Sequence, residues 1–231
     1  MSNINHDYIE DYLRSLIHEE DSMLLELESY ARDNHVPIIH PEVKQLLSVM
    51  IKSMGIKSIL EIGTAIGYSS IVFSKAMGGG KVITIEIKEE MKEMAIENIK
   101  KYGYEENIEV LFGDASEMIK QLCGQYDCIF LDGAKGHYVH LLDDCLRLLK
   151  PNGLLVSDNV LFRGMIANKQ LVKRRKITIV KRMREYIDVI SNHPQLETSI
   201  IPIGDGLAVS YYNAGGQVVS KSKVSAARLS R

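Results

Sequence analysis

The stretch KSILEIGTAIGYSS, residues 57–70, decides the predicted fold. It begins with a short apolar run typical of a buried strand, and a predicted helix follows from about Tyr68 to Met77. Between them, Gly63 and Gly67 allow a tight turn and a close approach of backbone to ligand. Their spacing is GxxxG, so the GxGxxG fingerprint of dinucleotide-binding proteins is not met. A strand that turns through glycines into a helix is the first unit of an α/β sheet.

Strands and helices alternate after this unit. Predicted strands cover residues 57–62, 81–87, 108–113, 126–132 and 153–159, with helices at 88–103, 115–122 and 138–150 between them. A long helix is predicted over about 169–191, and 196–203 and 206–213 form a hairpin-like pair. The alternation predicts a seven-stranded, mostly parallel, doubly wound sheet with helices on both faces and an antiparallel edge strand.

The sequence predicts one domain over residues 1–213, with N-terminal helices within 1–55 and a disordered tail at 214–231. One or two helices are expected between about Tyr8 and Asp33. An extended linker follows at 36–42, since its two prolines disfavour helix just before them. The next helix is predicted from Glu42 to about Met54. The N-terminal helices are also where we expect a homodimer contact.

Composition excludes several classes of protein. The chain has no run of eighteen apolar residues, so no membrane span and no membrane partner are expected. Its first residues are acidic and lack an apolar segment, which argues against a signal peptide. The three cysteines, Cys123, Cys128 and Cys145, form no CxxC pair. A reduced, cytoplasmic location is therefore expected.

Charge is unevenly distributed. The formal net charge is −2, yet nine basic residues and no acidic one lie between Arg163 and Arg184. Outside this segment and the basic tail, acids outnumber bases two to one. Such a run is often a solvated helix face. A block without compensating acids instead favours a polyanionic partner.

Acidic residues at predicted strand ends indicate a nucleoside pocket. Ligands of open α/β sheets bind at the carboxyl ends of the strands. Glu86 ends the second strand, where a carboxylate can accept from both ribose hydroxyls. Asp114 follows the third strand and can reach an adenine amino group, although a helix N-cap explains it equally well. Glu61 lies in a buried strand, where a charge is costly unless paired, and a cationic ligand would pair it.

Three oxygen donors follow the next two strands. Asp132 ends the fourth, and Asp158 and Asn159 end the fifth, so they are expected to converge. Carboxylate and amide oxygens suit Mg²⁺, Mn²⁺ or Ca²⁺ rather than zinc or copper. Singly, each is explained as a turn or cap residue. Lys135 follows at the same rim. A nearby cation would favour its neutral amine as a general base, and the alternative is a solvated surface lysine.

These segments carry a family resemblance. LEIGTAIGYSS, TIEI, GDA, FLDGAKGHY, SDNV and IGDGLAVS resemble the cation-dependent O-methyltransferases related to catechol and caffeoyl-CoA methyltransferases, over about residues 35–213. The resemblance implies a class I, Rossmann-like methyltransferase fold that uses S-adenosylmethionine and Mg²⁺ (or Mn²⁺ or Ca²⁺). It implies the metal ligands Asp132, Asp158 and Asn159, the catalytic residues Lys135 and Asp132, and a cofactor-binding set of Ile39, Glu61, Gly63, Gly67, Ser69, Glu86, Asp114, Ala115 and Asp132.

Within the family, the chain is most similar to bacterial enzymes that methylate 5-hydroxyuridine in the tRNA anticodon loop, at the wobble position, to 5-methoxyuridine. The 5-hydroxyl and the 4-oxygen of that base form a catechol-like chelating pair. The resemblance implies tRNA as partner. The basic segment, which follows the expected metal ligands, predicts phosphate contacts from Arg163, Lys169, Lys173, Arg174, Arg175 and Lys176.

Two alternatives stay open. One is a small-molecule O-methyltransferase acting on a catechol or a phenol linked to CoA, which is also polyanionic. The other is a nucleotide-binding module without catalytic activity. Gly133 and Ala134 stand where animal catechol enzymes have a bulky pair, which favours a larger substrate.

Overall fold

Seven strands form one sheet in the computed structural model, which describes residues 4–215. The order across the sheet is β3-β2-β1-β4-β5-β7-β6. The strands are β1 (Ser58–Ile62), β2 (Lys81–Glu86), β3 (Ile108–Phe112), β4 (Tyr126–Leu131), β5 (Leu149–Ser157), β6 (Leu196–Ile201) and β7 (Leu207–Tyr212).

The first five strands are parallel, and β7 is antiparallel to both of its neighbours. This confirms the predicted mostly parallel sheet with an antiparallel end. The antiparallel strand lies one position inside the edge, because β7 inserts between β5 and β6. The order reverses between β1 and β4, which places the ligand crevice at their carboxyl ends.

Helices cover both faces of the sheet. They are α1 (Asp7–Ser15), α2 (Ser22–Asp33), α3 (Pro41–Met54), α4 (Tyr68–Met77), α5 (Glu89–Lys101), α6 (Ala115–Gln121), α7 (Tyr138–Leu148) and α8 (Ile177–Asn192). One buried layer contains residues of α2 to α5, such as Leu47 and Phe73, and the other contains residues of α6 to α8, such as Leu141 and Met183. Among these helices of residues 4–215, none combines the length and apolarity needed to cross a bilayer.

Partly buried ion pairs connect the N-terminal helices to α3. The Arg14 guanidinium donates to both carboxylate oxygens of Glu42, at 3.0 and 2.9 Å. Lys44, which is buried, donates to Glu19 and Glu28 at 2.9 Å each. Where one or two helices were predicted, the structure has two, and these ion pairs connect them to the domain through α3. Most of the predicted tail, residues 216–231, lies outside the described part of the chain.

The prediction of one long helix over residues 169–191 was wrong at its start. Residues Lys169–Leu171 and Arg174–Lys176 form separate 3₁₀ turns, and α8 begins only at Ile177. Four consecutive cations at 173–176 repel one another, and cations at a helix N-terminus oppose the helix dipole. The strand predicted at 153 also begins earlier, at Leu149, with a register shift against β4.

Two glycines bring the turns after β1 and β4 into backbone contact. The Ile62 carbonyl accepts from the amides of Asp132 and Gly133, at 3.0 and 2.6 Å. Gly63 has φ +104°, and a Cβ added there would lie 2.6 Å from the Gly133 nitrogen. A Cβ at Gly133 would lie 2.9 Å from Gly63 Cα. Glycine is therefore required at both positions by packing.

We expect Gly63→Ala to be more destabilising than a matched glycine substitution in open space. Gly55 also has a left-handed φ, +65°, but nothing lies within 4 Å of its Cβ position. Gly55→Ala should cost about 1–2 kcal/mol for backbone conformation alone. Gly63→Ala should cost about 1–3 kcal/mol more for overlap with Gly133. Urea unfolding measures both, and equal losses would show that the two turns separate freely.

Candidate active site

A cavity of about 450 Å³ opens at the carboxyl ends of β1 to β4. Its volume suits a nucleoside-sized ligand. The structure brings six of the predicted site residues to its wall, namely Gly63, Glu86, Asp114, Ala115, Asp132 and Lys135. Sequence reasoning missed Pro37, Ala65, Lys88, Met91, Ser116 and His137, which also line it. Most of these adjoin a predicted site residue on the same turn, and that adjacency was the available signal.

The remaining predicted cofactor residues, Ile39, Glu61, Gly67 and Ser69, are buried and do not line this cavity. Ile39 packs in the core. Gly67 precedes α4 with φ +83°, and its Cβ position lies 3.5 Å from Ala95 of α5. That distance is an ordinary van der Waals contact, so the left-handed φ, rather than packing, favours glycine at this position. The contact of these four residues with a cofactor stays a prediction.

The Glu86 carboxylate is fixed by three backbone amides. It accepts from Ala65 at 2.9 Å through one oxygen and from Ile87 and Lys88 at 3.0 and 2.9 Å through the other. The first of these bonds joins the glycine turn after β1 to the end of β2. A carboxylate can accept about four hydrogen bonds, so capacity remains for a ribose hydroxyl.

Asp114 serves as the N-cap of α6 and lines the cavity as well. Its side chain accepts from the amide and hydroxyl of Ser116 at 2.8 and 2.6 Å. These bonds lower the pKa of Asp114. The capping alternative is therefore confirmed. It is compatible with an adenine contact, because the residue is exposed and faces the cavity.

Glu61 is fully buried at the end of β1. The hydroxyls of Ser69 and Ser70, in the first turn of α4, donate to its two carboxylate oxygens. Burial raises the pKa of Glu61 to about 7, and the hydroxyls oppose that rise. The charge at this position is thus accommodated by serine donors within the chain, where the sequence suggested a cationic ligand. The hydrogen bonds attach α4 to β1 directly behind the glycine turn.

Asp132 and Asp158 occupy neighbouring strand ends, as predicted. Their strands pair at Leu131 and Ser157, and the Asp158 amide donates to the Leu131 carbonyl at 2.8 Å. Asp158 is buried, with 1% of its surface exposed. Burial, and then the negative charge of Asp132, raise the pKa of Asp158 to about 8. Burial also raises the pKa of Asp132, against the opposing effect of Lys135. The raised pKa values show that the ionised forms of both carboxyls are disfavoured, and a cation bound between them would stabilise those forms.

Asn159 completes the set of oxygen donors. Its backbone has φ +59°, and its backbone N–H donates to the Asp158 carboxylate at 2.6 Å. Its Oδ1 is the one buried side-chain oxygen or nitrogen in residues 4–215 without a hydrogen-bond partner. A buried amide oxygen without a partner is costly. Two carboxylates and this oxygen therefore fit a hard divalent cation.

The set does not contain three acidic, histidine or cysteine residues. Across the described part of the chain, no group of three such side chains could hold a metal ion. Asp132, Asp158 and Asn159 are not a group of that kind, because the third oxygen donor is a side-chain amide. The Lys135 ammonium lies 3.3 Å from Asp132 Oδ1, with 28% of its side chain exposed. Lys135 and Asp132 thus pair with each other at the wall of the cavity that both line.

The basic segment divides into two groups. Arg182 donates to the Gly136 carbonyl at 3.2 Å, and Arg184 donates to the carbonyls of Met165 and Ile166 at 2.9 Å each. These two hold α8 against the loops around the site. The exposed side chains are those of Arg163, Lys169, Lys173, Arg174, Arg175 and Lys181. Lys176 is half-buried, with its Nζ 5.7 Å from the ring centroid of Phe162.

Comparison with known proteins identifies relatives over most of the chain. The model of the O-methyltransferase family matches residues 15–211. The catechol O-methyltransferase of Niastella koreensis is 30% identical over 176 residues, which cover 73% of this chain and 80% of that protein. Caffeoyl-CoA O-methyltransferase 2 of Populus trichocarpa is 29% identical over 176 residues, covering 71% and 70%.

Solved structures share the fold. A provisionally named caffeoyl-CoA O-methyltransferase of Staphylococcus aureus is 33% identical, with a TM-score of 0.84, covering 90% of this chain and all of that one. An O-methyltransferase of Bacillus cereus in complex with SAH is 23% identical, with a TM-score of 0.79, covering 89% and 97%. At that lower identity, the similarity supports the fold alone.

We expect Glu61→Gln to gain stability relative to the native protein as pH rises. The pKa of Glu61 is about 7 when folded, against an ordinary 4.5. The folded protein therefore keeps a proton that the unfolded chain releases, so native stability falls between these pH values. Glutamine does not ionise and avoids this loss, which is at most about 3 kcal/mol.

Urea unfolding at pH 5 and pH 8 measures the effect. Glu117→Gln, at an exposed position of α6, serves as the control and should show no such pH dependence. A constant difference between Glu61→Gln and native protein at the two pH values would contradict burial as the cause.

Proposed function

The chain belongs to the O-methyltransferase family, and from that premise we propose that it methylates a hydroxyl oxygen with S-adenosylmethionine as donor and a divalent cation, Mg²⁺ above all, as cofactor. One observation carries the proposal. The partnerless Asn159 oxygen belongs to the residue after Asp158, whose carboxyl interacts with that of Asp132 in the wall of a nucleoside-sized cavity, and the pKa values of both carboxyls are raised. A binding module without catalysis would have no use for such a cluster.

Each site residue has a distinct part in this proposal. Glu86 would accept from the ribose and Asp114 from the adenine amino group, which fixes the donor in the cavity. Asp132, Asp158 and Asn159 would hold the cation, which when bound supplies a Lewis acid for two adjacent substrate oxygens. In its neutral amine form, Lys135 would take the hydroxyl proton as the O–C bond forms and the S–C bond breaks, which releases S-adenosylhomocysteine. Positioning of the two reactants can contribute about 7–11 kcal/mol to the acceleration.

We expect Asp158→Ala to lose at least about 10³-fold in methyl transfer, since metal-ion catalysis is worth several kcal/mol. Binding of S-adenosylhomocysteine should stay within about threefold, because Asp158 does not line the cavity. Calorimetry and a methylation assay with magnesium and EDTA arms measure the two effects. Asp188→Ala, an exposed acid on α8, is the control. Full activity of Asp158→Ala, or of native protein in EDTA, would contradict the metal proposal.

We propose tRNA carrying 5-hydroxyuridine in its anticodon loop as the substrate. The exposed cations at 163–175 follow soon after Asp158 and Asn159 in the chain, which is where we expect a substrate to reach the cation. None of the ion pairs within residues 4–215 uses Lys169, Lys173, Arg174 or Arg175. These side chains are available for phosphates. Bases in single-stranded loops are already partly unstacked, which suits a pocket.

The second candidate substrate is a small catechol or a CoA-linked phenol. The names of the relatives favour it, since the matched proteins of Niastella and Populus are a catechol and a caffeoyl-CoA enzyme. The absence of a bulky residue at 133 does not decide between the candidates. Contact with Gly63 imposes glycine there irrespective of substrate.

We expect Arg174→Ala/Arg175→Ala to weaken tRNA binding about tenfold. The slope of the log binding constant against log salt concentration should become shallower by about one to two, which corresponds to the loss of one or two phosphate contacts. Methylation of a free catechol should change less than twofold. Lys52→Ala/Lys100→Ala removes equal charge from exposed positions on α3 and α5 and is the control.

Filter binding at several salt concentrations and mass spectrometry of tRNA nucleosides give the readouts. Equal losses on tRNA and catechol would count against phosphate contacts. Formation of a methylated catechol without any 5-methoxyuridine would favour the second candidate.

A further inference from the structure

The loop that carries Asn159 has an unfavourable backbone. Asn159, Phe162 and Arg163 have φ values of +59°, +44° and +54°. L-residues disfavour this left-handed region, and asparagine tolerates it best. Such a conformation persists only where the surroundings impose it. The loop contacts that impose it therefore also determine where the Asn159 side chain lies.

The turn between β6 and β7 supplies those contacts. The amides of Val160 and Leu161 donate to the carbonyls of Gly206 and Asp205, at 2.9 and 3.0 Å. A Cβ added at Gly206 would lie 2.4 Å from Leu161 Cγ, so only glycine allows the turn to approach this closely. The Arg163 amide donates to the Asp205 carboxylate at 2.5 Å. Of these three bonds, only the last uses a side chain.

We infer that Asp205 is a positioning residue for the divalent cation. Its carboxylate holds the amide of Arg163, which fixes the left-handed end of the 159–163 loop and with it the orientation of the Asn159 amide oxygen. This inference rests on the proposed metal site at Asp132, Asp158 and Asn159. It adds a residue that acts on the cation through the loop.

Asp205 has a second way to act, through its charge. Its carboxylate interacts electrostatically with Lys135, His40 and Arg163, and with Asp158. The two roles predict different outcomes for conservative substitution. The amide oxygen of asparagine can still accept from Arg163 but carries no charge. Alanine removes both the acceptor and the charge.

The test compares Mn²⁺ binding, by calorimetry or by electron paramagnetic resonance, in native protein, Asp205→Asn and Asp205→Ala. We expect the Mn²⁺ dissociation constant to rise about 10- to 100-fold in Asp205→Ala. In Asp205→Asn it should stay within about threefold. S-adenosylhomocysteine affinity should be unchanged in both. Glu197→Ala, an exposed acid on β6, controls for charge.

The outcomes are distinguishable. Unchanged Mn²⁺ affinity in Asp205→Ala overturns the inference, and so does an equal loss in Asp205→Asn, which would assign the effect to charge. If native protein itself binds no Mn²⁺, the proposed metal site fails and the inference with it.

Hydrogen exchange of native protein provides a measurement that does not depend on the folding of any variant. The Arg163 amide, although its residue is exposed, should exchange slowly because it donates to Asp205. Fast exchange at Arg163 would overturn the inference.

Discussion

The site depends on the backbone contact between the turns that leave β1 and β4. Gly63 and Gly133 approach so closely that neither position admits a Cβ. This contact lies where the strand order reverses, the point at which open α/β sheets bind ligands. On one side of it lie Glu86 and Asp114, which face the cavity, and on the other lie Asp132 and Asp158. The proposed nucleoside and cation sites are therefore adjacent, because β1 and β4 end at the same edge of the sheet and the turns that follow them are in contact.

Buried carboxyl groups are concentrated around this contact. Glu61, Asp132 and Asp158 are all carboxyls whose pKa burial raises. Each has a different compensation. Glu61 accepts from two serine hydroxyls, Asp132 pairs with Lys135, and Asp158 accepts only a backbone amide among the hydrogen bonds of the described residues. Asp158 is therefore the one carboxyl of the three that has neither a side-chain donor nor an ion pair within the described residues, and the residue after it, Asn159, carries the partnerless oxygen. A bound cation would be most stabilising there, because that is where the chain's own donors are fewest.

Much of this could be predicted from the sequence. Hydrophobic runs and glycine turns indicated the seven strands, and strand-end acids indicated which residues meet. What could not be predicted depends on contacts between distant segments. Glu61 requires Ser69 and Ser70 for its donors, yet its strand position alone suggested a ligand. Ile39 was placed in the cofactor wall by resemblance, whereas Pro37 lines the cavity. The helix predicted from Lys169 failed because periodicity ignores repulsion between the cations at 173–176.

The basic segment and the proposed metal site are joined through shared backbone. Arg182 binds the carbonyl of Gly136, in the turn that also carries Asp132 and Lys135. Arg184 binds carbonyls of the loop that follows Asn159. α8 therefore contacts both loops that supply the oxygen donors, while the cations before it face solvent. A polyanion bound at the exposed cations of 163–175 would lie next to α8 in the chain. Arg182 and Arg184 of α8 contact the turn after β4 and the loop after Asn159. Under the proposed function, substrate binding and the geometry of the oxygen donors would both depend on the packing of α8.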